Sequence, residues 1–150
     1  MCIRDRNYLN VNFENTNQIV LGASMGGLMS IKTSILFPQF RNIISLSPAF
    51  WFGYPRVLYD VKNLSNESST YLYTGKKEGH IFGDHVKNIF SNDWDLDFSN
   101  NDDFYYSGVK KIEDSLKSNN KKVIFSYQEN GHHNETSWAT AVLDILGKLI

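Results

Sequence analysis

The chain contains four short apolar runs, and each is rich in β-branched or aromatic residues. Runs of this length beside turn-forming residues are typical of strands buried on both faces of a parallel sheet. We predict strands at Gln18–Leu21, Ile43–Leu46, Thr70–Thr74 and Lys122–Tyr127. Because glycine weakens a strand, we expect Gly75 to close the third strand and Gly131 to break the fourth.

The segments between these runs have the 3.6-residue apolar period of amphipathic helices. The first helix is predicted to begin near Gly26 and to stop at Phe37-Pro38, with Leu28, Ile31, Ile35 and Leu36 facing inward. Further helices are predicted at Val57–Leu64, Tyr105–Lys117 and Glu135–Ile150, with a helical turn at Val86–Phe90 inside a long polar loop. Strands that alternate with helices predict right-handed crossovers and an α/β fold with a mostly parallel sheet flanked by helices.

Composition and charge narrow the class of protein. A chain of 150 residues, 41% of them hydrophobic, is long enough for one domain with a buried core. The formal net charge of −1 gives no sign of the excess positive charge that binds nucleic acid or an anionic membrane. No run reaches the roughly 18 apolar residues of a membrane span, and no signal peptide is recognisable, so cytoplasmic, periplasmic and secreted locations all stay open. No cofactor is indicated, and His80, Asp84 and His85 lack the spacing of a metal site.

A glycine-rich turn lies between the first predicted strand and the first predicted helix. It reads Gly22-Ala23-Ser24-Met25-Gly26-Gly27 and matches the G-x-S-x-G pattern of a nucleophile elbow. In that motif the serine occupies a strained turn, which needs small residues two positions away on either side, here Gly22 and Gly26. Gly27 allows the helix to approach the strand, and the Met25 N–H is the natural first donor to an oxyanion. We predict that Ser24 is the nucleophile of a serine hydrolase, the alternative being a turn in which Ser24 only caps the helix.

A serine nucleophile needs a general base, and histidine is the usual one because it titrates near neutral pH. In a fold of this type the base follows the last strand. The chain there reads Gly131-His132-His133-Asn134-Glu135, and spacing alone does not choose between His132 and His133.

The acid that orients the base is expected after the preceding strand. Glu78 comes four residues after the predicted end of that strand and completes the order serine, acid, histidine. Three aspartates further into the same loop are alternatives: Asp84, Asp93 and Asp95.

Three separated parts of the chain resemble one family of esterases. They are Gly22–Leu28 together with Phe37–Phe40 and Ile44–Ala49, then Tyr73–Gly79, and then Gly131–Glu135 with Trp138. The family includes enterochelin esterase, feruloyl esterase, esterase D and the mycolyltransferases, and the resemblance covers roughly residues 19–146. It implies an α/β-hydrolase fold, it supports Glu78 as the acid, and it favours His133 over His132 as the base.

Members of this family usually extend further at the N-terminal side, with several more strands and a loop that donates the second oxyanion N–H. We therefore expect residues 1–16 to be an N-terminal remnant, of which 1–6 are non-native, and residues 17–150 to be the C-terminal part of an α/β-hydrolase domain whose N-terminal strands are missing. The strand at Ile19–Leu21 would then have an unpaired apolar edge. These 150 residues alone are expected to be poorly soluble and nearly inactive.

The predicted function is hydrolysis of carboxylic esters through an acyl-enzyme, with Ser24, His133 and Glu78 as the triad. Acyl transfer to an alcohol would use the same triad, and a non-catalytic esterase-like binding domain is a further alternative. Trp51 and Phe52 are candidates for contacts with a small-molecule or carbohydrate-linked ester, and packing in the core is the other role open to them. The oligomeric state is left open by the sequence.

Overall fold

The sheet has four parallel strands that lie side by side in the order in which they occur in the chain. The computed structural model describes residues 18–90 and 93–149. Its strands are β1 (Ile19–Ala23), β2 (Asn42–Leu46), β3 (Ser69–Lys77) and β4 (Lys122–His132). The predicted N-terminal remnant, residues 1–16, and the predicted helix end at Ile150 lie outside the described residues.

Helices connect the strands, as parallel pairing requires. They are α1 (Met25–Leu36), α2 (Arg56–Asp60), α3 (Val86–Ile89), α4 (Asn101–Ser118) and α5 (Glu135–Leu149). The predicted alternation of strands and helices is confirmed, and the protein is of the α/β class with a parallel sheet flanked by helices. Three short 3₁₀ turns occur in the connections, at Phe50–Phe52, Val61–Asn63 and Gly79–Phe82.

Alternate residues of the strands supply two hydrophobic clusters, one on each face of the sheet. On one face, Ile43 and Leu72 pack with buried residues of α1 and α4, including Ile31 and Ile112. On the other face, Ile44, Tyr71 and Tyr73 of the strands pack against Ala141 and Ile145 of α5. The two clusters hold the carboxyl ends of the strands at one edge of the sheet.

Three predicted strand ends are wrong, and each strand runs on through a glycine. Strand β1 continues past Leu21 and Gly22 to Ala23. Strand β3 continues past Gly75 to Lys77, and β4 continues past Gly131 to His132. The register between them becomes irregular after Gly75 pairs with Gln128, so that Lys77 pairs with His132. The strands run on because neither glycine has a Cβ to hold them apart: a Cβ on Gly75 would lie 2.2 Å from the carbonyl oxygen of Gly131.

The predicted inward face of the first helix is confirmed for Leu28 and Ile31, which are buried. It is wrong for Leu36, which is 71% exposed because it is the last residue of α1 and extends beyond the sheet. At the sheet edge, β1 pairs only with β2 among residues 18–90 and 93–149, and Leu21 is half exposed. Within the same residues, no helix combines the length and the apolar character that crossing a membrane would need.

Candidate active site

Ser24 occupies a strained turn between β1 and α1. Its φ and ψ angles are 55° and −121°, a region that residues with a Cβ adopt only at a cost of about 1–3 kcal/mol. Backbone hydrogen bonds hold it there: the Ser24 N–H donates to Leu46 O at 2.9 Å, and Ser24 O accepts from the N–H groups of Leu28 and Ala49. The end of β2 and the start of α1 thus fix the serine in a conformation that it would not adopt by itself.

The three glycines around Ser24 have different steric roles. A Cβ on Gly22 would lie 2.1 Å from the carbonyl oxygen of Gly26, and a Cβ on Gly27 would lie 2.6 Å from that of Leu46. Both positions therefore require glycine. The expectation that Gly26 must also be small is wrong, since no atom outside its own helical turn lies within 4 Å of a Cβ placed there. Gly22 lies close to the backbone of Gly26. A side chain at position 26 would point away from this contact.

Ser24, His133 and Glu78 form a continuous hydrogen-bonded line. The Ser24 Oγ lies 2.9 Å from His133 Nε2, and His133 Nδ1 lies 2.9 Å from Glu78 Oε2. An ionised carboxylate only accepts hydrogen bonds, so Nδ1 carries the imidazole proton and Nε2 presents its lone pair to the serine hydroxyl. This is the tautomer that a general base needs in order to take the serine proton.

The strand ends explain why three residues far apart in the chain meet. Ser24 follows β1, Glu78 comes directly after β3, and His133 comes directly after β4. Carboxyl ends of parallel strands lie along one edge of a sheet, which is where sites form in open α/β folds. The structure therefore brings together the predicted nucleophile, the predicted acid and the preferred one of the two predicted bases.

The Glu78 carboxylate is completely buried and is hydrogen-bonded through both oxygens. While Oε2 faces His133, Oε1 accepts from the Ser47 hydroxyl at 2.6 Å and from the Gly75 N–H. In the sequence, Ser47 stands within Ile44–Ala49, a segment that resembles the esterase family, but the resemblance assigns it no role. No sequence pattern marks it as part of the site, because its contact with Glu78 spans two strands.

Two aromatic rings enclose the imidazole of His133. The centroid of the Trp138 ring lies 4.9 Å from that of the imidazole, with an angle of 83° between the two ring planes. For the Tyr105 ring, the centroid distance is 5.4 Å and the angle between the planes is 61°. Burial, and then the nearby Glu78 carboxylate, raise the pKa of Tyr105 well above its ordinary value. The Tyr105 hydroxyl therefore stays protonated and donates to Ser47 O at 2.6 Å. Trp138 belongs to the histidine segment that resembles the esterase family, and its ring lies beside His133.

Met25 is the first residue of α1, so its N–H has no acceptor within the helix. Orphan N–H groups at a helix N-terminus, together with the positive end of the helix dipole, stabilise negative charge. Met25 directly follows Ser24, so this N–H is adjacent to the point at which an attacked carbonyl would develop its charge. The predicted role of Met25 as an oxyanion donor is compatible with this position.

The alternative site residues lie elsewhere. His132 is exposed, and its ring lies 5.9 Å from that of His80, with the two ring planes tilted by 59°. Asp84 accepts from the His85 N–H and from the Asn88 amide, which lowers the pKa of Asp84. Of the other two aspartates, Asp95 pairs with Lys111 and Asp93 is exposed at the surface. Among the acids of residues 18–90 and 93–149, Glu78 is the one whose carboxylate is hydrogen-bonded to His133.

The aromatic residues that were candidates for substrate contacts lie in two environments. Trp51 is half buried in an aromatic cluster, where its ring contacts those of Phe50, Phe52, Phe82, Phe90 and Tyr105. Phe52 is 68% exposed. The packing role therefore accounts for Trp51, whereas Phe52 remains available at the surface.

An open groove of about 670 Å³ borders the acid and histidine loops. Its lining includes Lys77, His80, Asn101, Asp102, His132 and Asn134, so residues on both sides of His133 and the one before Glu78 contribute to it. Within the part of the chain that the structure describes, no three histidine, cysteine, aspartate or glutamate side chains converge as metal ligands would.

Comparison with known proteins finds no family model that matches the chain and no curated protein with significant similarity to it. The geometry of Ser24, His133 and Glu78, together with the local sequence around each of them, is therefore the basis for inferring function.

Proposed function

We propose that this protein is a serine hydrolase of the α/β-hydrolase type that cleaves carboxylic esters through an acyl-enzyme intermediate. The observation that carries the proposal is the line from Ser24 Oγ through His133 to Glu78, with 2.9 Å at each of its two hydrogen bonds. The line ends at a serine with φ of 55°, the strained conformation that a nucleophile elbow requires.

In the proposed acylation step, Ser24 Oγ attacks the ester carbonyl while His133 Nε2 takes the serine proton. The resulting imidazolium is stabilised by the Glu78 carboxylate at Nδ1. The Met25 N–H donates to the carbonyl oxygen as negative charge develops on it, and such a donor typically contributes 10²–10³-fold to rate. His133 then gives its proton to the departing alcohol, leaving the acyl group on Ser24.

Deacylation repeats the same steps with water as the nucleophile. His133 takes a proton from the water, the acyl–oxygen bond to Ser24 breaks, and the proton passes back to Ser24 Oγ. An alcohol in place of water would give acyl transfer with the same residues. An assay with an added alcohol acceptor separates the two reactions, because transfer forms a new ester and hydrolysis forms only the free acid.

Two independent features support a catalytic role over that of a binding domain. A turn that only capped a helix would have no reason to hold Ser24 at a strained φ, since strain of this kind persists where function requires it. A binding domain would likewise have no reason to bury the carboxylate of Glu78 completely beside an imidazole. The local resemblance to the esterase family falls on the same three segments that supply the triad.

The surroundings of the triad favour a polar portion in the substrate. The groove beside Glu78 and His133 is lined by an ammonium, two imidazoles, three amides and the Asp102 carboxylate. Hydroxyl and carboxylate groups find hydrogen-bond partners among such side chains. We therefore expect the preferred esters to carry a hydroxylated or otherwise polar group, as carbohydrate-linked esters do.

A fluorophosphonate probe tests the proposal directly, because it reacts covalently with an activated serine and detects even slow acylation. We expect labelling of the complete protein at Ser24, and loss of both labelling and p-nitrophenyl acetate hydrolysis in its Ser24→Ala variant by about 10³-fold or more. Ser118→Ala removes an exposed serine at the end of α4 and is expected to label normally. Labelling that persists in Ser24→Ala would show that another residue is the nucleophile.

A further inference from the structure

Oε1, the oxygen of Glu78 that does not face His133, has a defined set of donors. It accepts from the Ser47 hydroxyl at 2.6 Å and from the Gly75 N–H, in a site from which solvent is excluded. Burial of a carboxylate without partners is very costly, and these two donors offset part of that cost. They also fix its rotation, because Ser47 directly follows β2 and Gly75 lies within β3.

Ser47 itself is held in an unusual backbone conformation. Its φ is 41°, one of three positive values at non-glycine residues among those that the structure describes. The Ser47 N–H donates to Tyr73 O at 2.7 Å, and its carbonyl accepts from the buried hydroxyl of Tyr105. Strain that is enforced by hydrogen bonds on both sides is typical of residues whose side chain must be aimed at a site.

Trp138 determines which way the Ser47 hydroxyl points. The indole N–H can only donate, and it donates to Ser47 Oγ at 2.9 Å. This interaction occupies a lone pair of Oγ, so the single hydroxyl proton is left for Glu78 Oε1. The chain of donors therefore runs in one direction, from Trp138 to Ser47 to Glu78.

We propose that Ser47 and Trp138 form a positioning relay that orients the catalytic acid. The relay holds Oε1 so that Oε2 faces His133, and it supplies a hydrogen bond to the carboxylate while His133 is protonated. No proton leaves Ser47 or Trp138, and neither residue touches the ester. This inference rests on the proposed hydrolase function, because it assigns the residues to the orientation of that triad.

The relay has a second contact with the site, since the Trp138 ring also packs on the imidazole at 4.9 Å. One residue at the start of α5 therefore contacts the base directly and the acid through Ser47. A variant must separate these two contributions. Trp138→Phe keeps an aromatic ring beside His133 but removes the N–H, so it tests the hydrogen bond alone.

The test is a double-mutant cycle on the rate of labelling by the fluorophosphonate probe. We expect Ser47→Ala and Trp138→Phe each to slow labelling at saturating probe, Ser47→Ala by about 10- to 100-fold, because hydrogen bonds to a charged group are strong. The probe concentration at half-saturation should stay unchanged. In the Ser47→Ala background, Trp138→Phe should have no further effect. Equal effects of Trp138→Phe in both backgrounds would show that Trp138 acts only by packing and would overturn the relay.

Ser47→Gly controls for backbone strain, because it removes the hydroxyl and relieves the positive φ at the same time. A relay role predicts the same loss as in Ser47→Ala, whereas a purely structural role predicts recovery of the rate in Ser47→Gly. Ser68→Ala is the matched control, since Ser68 is also buried and its hydroxyl has no partner among the described residues. It should label at the rate of the unmodified protein.

Proton NMR separates failure of the relay from failure of the proposed function. The Nδ1 proton of His133, shared with Glu78, gives a downfield resonance in the resting protein without any turnover. We expect this resonance to persist in Ser24→Ala and to be lost or moved upfield in both Ser47 variants. An unchanged resonance in folded Ser47→Ala and Ser47→Gly would overturn the relay even if Ser24 is the nucleophile. Absence of labelling in the unmodified protein would overturn the hydrolase function instead.

Discussion

Gly75 and Gly131 face each other across β3 and β4 so closely that neither strand tolerates a side chain there. A Cβ on Gly75 would lie 2.2 Å from Gly131 O, and a Cβ on Gly131 would lie 2.9 Å from Gly75 Cα. Each glycine stands only a few residues before a member of the triad. Their contact therefore sets the separation between the loops that carry Glu78 and His133.

We expect Gly75→Ala to separate these loops and impair the site. The added methyl meets backbone on the neighbouring strand, which cannot move aside like a flexible side chain, and overpacking of this kind typically costs about 1–3 kcal/mol. Urea unfolding should show the loss of stability, and probe labelling should show a slower reaction at Ser24. Gly147→Ala, on open space in α5, should leave both properties intact. Labelling of Gly75→Ala at the normal rate would contradict the proposed role of this contact.

Glu78→Gln is expected to abolish most activity with little change in fold. Ser47 and the Gly75 N–H both donate to Oε1, so the carbonyl oxygen of the new amide must occupy that place and its NH₂ must face His133. The amide then donates to Nδ1 and forces the imidazole proton onto Nε2, where it blocks acceptance of the serine proton. We expect a loss of about 10⁴-fold in turnover, as is typical when the base is held in the wrong tautomer.

The measurement is the labelling rate alongside circular dichroism, with Glu129→Gln as the control. Glu129 is a carboxylate near the same strand end, but it is exposed and pairs with Lys76. A Glu78→Gln protein that reacts as fast as Glu129→Gln would remove Glu78 from the triad.

The residues of the proposed triad could be predicted from the sequence because each of them stands at a strand end. The apolar runs located the strands, and the parallel arrangement then placed Ser24, Glu78 and His133 at one edge. The choice of His133 over His132 came from local resemblance, because adjacent residues share the same spacing. What separates them in the structure is side-chain direction, which places His133 toward Glu78 and leaves His132 exposed.

The contacts around Glu78 could not be predicted in this way. Gly75 and Gly131 were interpreted as strand ends because glycine weakens an isolated strand, whereas their role depends on the distance between two strands. The donors Ser47 and Trp138 lie 31 and 60 positions from Glu78 by their numbers in the chain. Hydrogen bonds between such residues depend on rotamers and on tertiary approach, and neither leaves a periodic signal.

Stability should fall at alkaline pH through Tyr73. Burial, and then the Glu78 carboxylate, raise the pKa of Tyr73 from 10.0 to about 12. The folded protein therefore holds this proton more tightly than the unfolded chain does. The Tyr73 hydroxyl makes its full contribution to the free energy of unfolding below pH 10.0. This contribution is lost as the pH rises toward about 12, because the tyrosine ionises first in the unfolded chain.

Melting temperatures measured across this range should fall less steeply with pH in Tyr73→Phe than in the unmodified protein. Part of the slope should remain, since the pKa of Tyr105 is raised in the same direction. A slope that is identical with and without the Tyr73 hydroxyl would exclude this linkage.

Gly22 and Gly26 provide a test of the elbow, because the same substitution should have opposite effects at the two positions. In Gly22→Ala the methyl would lie 2.1 Å from the carbonyl oxygen of Gly26, and this backbone is held in the first turn of α1. We expect Ser24 to be displaced from His133, with labelling strongly reduced and the free energy of unfolding lowered.

In Gly26→Ala the methyl would project into open space, and alanine is the better helix former by about 0.5–1 kcal/mol. We expect normal labelling and a small increase in the free energy of unfolding, both measured beside Gly22→Ala by urea titration and probe kinetics. The pair separates two explanations of the motif. If both variants lose activity, small residues are needed on each side of the serine, as the motif alone suggests. If only Gly22→Ala loses activity, the motif reflects one close approach between the end of β1 and the backbone of α1.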